Sequence, residues 1–161
     1  MSAPMGLHGV CNMFGKAPPD NMAEIELKLH YELDSIQLYP DVLDVLDKLR
    51  ADGFNIGVCS NLALPYGAPI KMLLGSRVDH YTLSYEVGAV KPAKAIYQHV
   101  VDSFGLDPQE ILFVGDTDRT DLQGPKQFGM HSCLVNRGKY RYRRPASLST
   151  VIDAAKFINR F

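Results

Sequence analysis

Two carboxylates, a serine and a lysine stand where a folded chain could gather them for phosphate chemistry. The segment Val114-Gly115-Asp116-Thr117-Asp118-Arg119-Thr120-Asp121 releases Asp116 from the tip of an apolar run and sets Asp121 five residues on, at an expected helix start. Paired acids of this kind supply the hard oxygen ligands that a magnesium ion takes while it keeps waters and meets a substrate phosphate. The plainer reading is that Asp121 caps its helix and Asp116 makes a turn. Ser60-Asn61 closes an earlier apolar run, where a hydroxyl and the following backbone N–H groups can cradle a phosphoryl oxygen. That dipeptide is also a common turn pair. Lys91, in Glu86-Val87-Gly88-Ala89-Val90-Lys91-Pro92, precedes a helix expected to begin at Pro92. A lysine held at such a start beside carboxylates can neutralise a phosphate or a developing anion, whereas a lone one is a solvated surface charge.

Positioning these side chains is the work of alternating elements. Ile25, Leu29 and Leu33 recur every fourth residue, so a helix is expected over Ala23 to Leu33. A second helix is expected over Asp41 to Arg50, with Asp41 as N-cap and Gly53 as the stop. Asn55 to Cys59 reads as a buried strand ending at Ser60-Asn61, where an open parallel sheet binds ligands. A helix over Tyr66 to Leu74, a strand over Tyr81 to Ser84 and a helix over Pro92 to Phe104 follow. Ile111 to Val114 reads as a strand, Asp121 to Phe128 as a helix, and Ser132 to Val135 as a strand. Strand, helix, strand alternation implies an α/β fold, a parallel sheet with helices on both faces, in a single domain over residues 1–161.

The bulk properties narrow the functions available. The chain has 161 residues, 46% hydrophobic and 22% charged, which suits one core and argues against disorder. A net charge of -1 provides no global field for nucleic acid or an anionic membrane, so neither is expected as a partner. Cys11, Cys59 and Cys133 are odd in number and form no C-x-x-C pair, which implies a reduced, cytoplasmic setting. No apolar run approaches the roughly 20 residues that span a bilayer. Five scattered histidines show no ligand spacing. The basic stretch Arg137 to Arg144, interleaved with Tyr140 and Tyr142, reads as a solvated loop before it reads as a single-strand nucleic-acid patch.

The order Ser60, Lys91, Asp116, Asp121, each at the end of a strand or the start of a helix, resembles motifs two, three and four of the haloacid dehalogenase-like (HAD) hydrolase superfamily. The resemblance runs from about Leu38 to Val135 and includes the Tyr39-Pro40 and Lys91-Pro92 pairs. It implies a Rossmann-like parallel sheet and catalysis by an aspartate that attacks phosphorus or carbon. It further implies Ser60 and Asn61 as phosphate binders, Lys91 as charge stabiliser, Asp116 as a magnesium ligand, and Asp121 as a metal ligand or orienting acid. A small phosphorylated molecule or anion is the implied ligand.

The pattern breaks at the first motif, a strand that ends in the nucleophilic aspartate. The nearest match is Gly9-Val10-Cys11-Asn12-Met13-Phe14-Gly15-Lys16, with Asn12 in the nucleophile's place. A neutral amide is a poor nucleophile and a weak magnesium ligand, so impaired or absent catalysis is expected. A working phosphohydrolase that recruits Asp20, Asp118 or a metal-bound water is the alternative. The motif-one strand lies mid-sheet, and leaving its place open would expose two rows of backbone groups. Leu7 to Met13 is therefore expected to fill it, unless another chain supplies the strand. Between Asn12 and Ser60 there is too little chain for a full helical cap, so residues 14–37 are expected to be a cap remnant or linker. Exposed leucines on that remnant favour a homodimer, and an oligomerising or protein-interaction module with a relic pocket is a third reading.

Overall fold

Leu7, Val10 and Cys11 fall three and four residues apart, the spacing of one helical face, and in the computed structural model, which describes residues 7–135 and 147–148, they form the half-buried side of a helix. This helix, α1 (Leu7–Met13), stands where a central strand was expected. An apolar run this short fits either period, and here packing on the next helix, α2 (Met22–Asp34), decides it. Asn12 is exposed on α1 and does not stand at the tip of a strand. The basic stretch Arg137 to Arg144 lies outside the described residues.

The remaining elements follow the predicted order. Helix α3 (Val42–Ala51) is succeeded by strand β1 (Gly57–Ser60), helix α4 (Gly67–Leu74) and strand β2 (His80–Leu83). A single helical turn, α5 (Ser84–Val87), leads to α6 (Lys94–Phe104), then strand β3 (Leu112–Gly115). A π-helical turn (Asp118–Gln123) runs into α7 (Gly124–Phe128), and strands β4 (His131–Val135) and β5 (Ser147–Leu148) follow. Helix α6 begins two residues later than expected. Pro92 lies outside it, because Ala93 is extended at φ −61° and ψ 137°. Asp121 likewise does not cap a helix: it sits inside the π-helical turn, whose N-cap is Thr117.

Among the described residues all strand pairings are parallel, and they form two sheets rather than one. β1 pairs with β2, and β3 with β4, which pairs in turn with β5. Successive residues of β1 point to opposite faces, so Val58 joins a cluster with Ile56, Leu74 and Val78 beneath α3 and α4, while Cys59 joins Ile96, Tyr97, Val100 and Phe113 beside α6. Helices thus cover both faces. Helix α6 reaches across the two sheets, meeting β1 and β2 along its length and setting the Tyr97 ring edge-on to Phe113 of β3 at 5.8 Å. Ion pairs fasten the periphery: Arg50 holds Asp79 at 2.8 Å, and Asp79 also accepts the Ile56 N–H at 2.7 Å just before β1.

Candidate functional site

Ser60 ends β1 and Asp116 follows β3, so the carboxyl ends of two parallel strands carry the two residues into one region. Lys91 connects them. Its ammonium donates to the Cys59 carbonyl at 3.1 Å, one residue before Ser60, and to Asp121 Oδ1 at 2.7 Å. The other Asp121 oxygen accepts the backbone N–H groups of Asp116 at 3.2 Å and Thr117 at 2.9 Å. Thr120 Oγ1 donates to Oδ1 at 3.2 Å. Ser60, Lys91, Asp116 and Asp121 are therefore gathered, while Asn12 is held on α1.

The charges are unequally engaged. Asp121 is buried and both of its oxygens are taken by protein donors, so it is built to hold its neighbours in place. Asp116 is exposed and accepts from Thr117 Oγ1 at 3.3 Å. Lys91 also lies 5.3 Å from the centre of the Phe113 ring, whose face favours a cation. Burial pushes the neighbouring Cys59 thiol up to about 11, which keeps it protonated and unreactive. Among the described residues, no group of three or more His, Cys, Asp or Glu side chains is assembled for a metal ion.

Several contacts that hold these residues lay beyond the reach of the sequence. The Asn61 amide grips the backbone of Lys91 at both ends, accepting its N–H at 2.7 Å and donating to its carbonyl at 3.1 Å. Its side chain is thus spent on Lys91, while its position keeps the residue beside Ser60. Buried Ser84 pins the same loop, accepting the Leu62 N–H and donating to the Leu62 carbonyl, each at 2.9 Å. Tyr97, fully buried on α6, donates to the Thr120 carbonyl at 2.7 Å and fixes the π-helical turn next to Asp121. Its place beside Ile96 and ahead of Val100 on the core side of a helix was the only local signal. Gly115 is a steric requirement, since a Cβ there would lie 2.5 Å from the Asp121 carboxylate.

With this geometry in hand, comparison with known proteins is specific. A family model for haloacid dehalogenase-like hydrolases matches residues 8–129, and the chain belongs to that family. It is 32% identical over 120 residues to glyceraldehyde 3-phosphate phosphatase of Methanopyrus kandleri, covering 71% of this chain and 50% of that protein. It is also 32% identical over 115 residues to phosphoglycolate phosphatase of Escherichia coli K12, covering 70% of this chain and 44% of that one. The chain therefore spans about half the length of these relatives. Among solved structures, the HAD phosphatase from Thermococcus onnurineus superposes with a TM-score of 0.69 at 24% identity, covering 92% of this chain and 68% of that chain. The 2-haloacid dehalogenase from Pseudomonas syringae gives 0.68 at 22%, covering 87% and 61%. These likenesses establish the HAD-like α/β fold. No helix among the described residues is long and apolar enough to cross a membrane.

Proposed function

We propose that this chain binds phosphate, free or on a small molecule, at the Ser60, Lys91 and Asp116 pocket, with magnesium held by Asp116, and that it hydrolyses phosphate esters poorly or not at all. The observation that carries the reading is the Lys91 ammonium, fixed between the Cys59 carbonyl and Asp121 at the carboxyl ends of β1 and β3. A cation held in a partly dry cleft attracts an anion more strongly than one on a mobile surface chain. The Ser60 hydroxyl and the N–H groups after it would complete the phosphate cradle. Asp116 offers the hard oxygen that magnesium accepts, and water would supply most of the remaining ligands, as this ion prefers. Asp121, already saturated, would act as the orienting acid. The names of the phosphatase relatives support a phosphorylated ligand. Asn12 on α1 leaves the reading without an attacking carboxylate.

Calorimetry with magnesium chloride and inorganic phosphate tests this, alongside turnover of p-nitrophenyl phosphate. Phosphate binding that needs Ser60, magnesium binding lost in Asp116→Ala, and turnover at background are expected. Steady turnover that disappears in Asp116→Ala would instead make the chain a working phosphohydrolase.

One observation favours a second reading. Helix α2 leaves Leu27 55% and Tyr31 68% exposed, an apolar surface suited to self-association as a homodimer. Sedimentation velocity of Leu27→Glu against the parent chain decides it, a dimer dissociated by the charge being the supporting result.

A further inference from the structure

Leu83, which ends β2, lies opposite Ser60 in the parallel ladder, so the next residue, Ser84, starts α5 beside the loop that leaves β1. Ser84 is 8% exposed, and a hydroxyl so far from water needs a partner in the protein. Leu62 is that partner: the hydroxyl accepts the Leu62 N–H and donates to the Leu62 carbonyl, each at 2.9 Å. The Ser84 carbonyl in turn accepts the Gly88 N–H at 2.9 Å. Gly88, at φ 73°, is the left-handed residue that ends α5 three positions before Lys91. One residue thus fastens both approaches to Lys91, the 61–62 loop through its side chain and the 88–91 segment through its backbone.

This bond also decides which backbone donors are left for an anion. The Leu62 N–H is engaged by Ser84, whereas no side chain among the described residues accepts the Asn61 N–H. On one flank of that donor the Asn61 side chain is committed to Lys91, and on the other Leu62 is committed to Ser84. We infer that Ser84 is a positioning residue for anion binding, which aims the Asn61 N–H alongside the Ser60 hydroxyl and the Lys91 ammonium. The inference rests on the phosphate reading above and assigns the aim of that pocket's backbone donor. Ser84 itself touches no ligand and acts through Leu62 and Gly88. Donors fixed in advance bind an anion without first being ordered. Without the hydroxyl, the Leu62 N–H and carbonyl must find other partners, and the loop that turns to reach them carries the Asn61 donor away.

Calorimetry of the full chain with inorganic phosphate tests it on two variants. Ser84→Ala deletes the hydroxyl, and Ser84→Cys keeps the shape of the side chain but hydrogen-bonds weakly. Val45→Ala is the control: Val45 is 2% exposed on α3, so its truncation lowers the urea midpoint without touching either loop. Phosphate binding about tenfold weaker in Ser84→Ala and about threefold weaker in Ser84→Cys is expected, with Val45→Ala within about twofold of the parent. Should Ser84→Ala not fold, the cysteine variant decides. Parent-like affinity in the Ser84 variants would overturn the inference while leaving the phosphate reading intact. Equal weakening in Val45→Ala would overturn it too, since general loosening would then account for the loss. A parent chain that binds no phosphate removes the phosphate reading itself, and the inference with it.

Discussion

The Lys91 ammonium and the Asp121 carboxylate meet at 2.7 Å with their side chains only 10% and 7% exposed, which makes them a buried ion pair bridging two sheets. Such a pair gains little over a well-packed apolar replacement, because both ions surrender their hydration. Breaking it is another matter, since the survivor keeps its charge without a counter-ion. In Asp121→Asn the amide oxygen can still accept the N–H groups of Asp116 and Thr117, but Lys91 is stranded. Loss of about 3–5 kcal/mol of unfolding free energy in urea is expected. The double variant Lys91→Met with Asp121→Asn removes both charges and should recover more than half of that loss. Additive single effects would deny the coupling.

Asn61 governs where Lys91 stands. Its amide holds the Lys91 N–H and carbonyl together, so Asn61→Ala removes two hydrogen bonds from one residue of the site. At an exposed position the global cost should be modest, about 1 kcal/mol. The larger effect should fall on anion binding, because an ammonium displaced by an ångström no longer faces the cradle at Ser60. Calorimetry with inorganic phosphate should show binding weakened at least tenfold, with the urea midpoint little changed.

These two residues also mark how far the sequence could be read. Regular periodicity made α2, α3, α4 and the four longer strands legible to within a few residues, since burial of one face dictates residue spacing. The places of Ser60 at the end of β1 and of Asp116 just after β3 were legible, because each closes an apolar run. Asn61's grip on Lys91, Ser84's on Leu62 and Tyr97's on Thr120 span twenty or more residues and leave no local trace. The π-helical turn was invisible for a related reason: the tertiary pull of Lys91 and Tyr97 on residues 120–121 shapes it, where a capping pattern would suggest an ordinary helix start. At Leu7–Met13 a seven-residue run fits both a strand and a helix, and packing on α2 selects the helix.

Alkaline pH should unfold the chain earlier than its charge balance suggests. Burial raises the Cys59 and Cys133 thiols from 9.0 to about 11, and raises the Tyr97 phenol from 10.0 to about 12. Unfolded, each group releases its proton about two units earlier than it does when folded. Above pH 9 the unfolded chain therefore binds fewer protons, and stability falls as pH rises. The stability is fully present below pH 9 and is lost between about 9 and 11 for the thiols, and up to about 12 for the phenol. The decline should be on the order of 1 kcal/mol per pH unit for each thiol. Urea midpoints measured from pH 8 to 11 check it, and Cys133→Ala should flatten the slope.

Gly115 is the point at which backbone sterics and site chemistry coincide. A Cβ built there lies 2.5 Å from the Cβ, Cγ and Oδ2 atoms of Asp121. None of these is the free end of a mobile side chain, because Oδ2 accepts from Asp116 and Thr117 and Oδ1 from Lys91. Gly115→Ala must push the carboxylate off its donors or bend the end of β3. Overpacking of this kind costs about 1–3 kcal/mol. The expected signature is a lowered urea midpoint together with loss of phosphate binding, since the displaced acid releases Lys91. Pairing Gly115→Ala with Asp121→Gly gives the new methyl room and separates the two effects. Relief of the clash should make this double variant no less stable than Asp121→Gly alone, whereas fully additive losses would show that the strand end, and not the carboxylate, resists the added methyl.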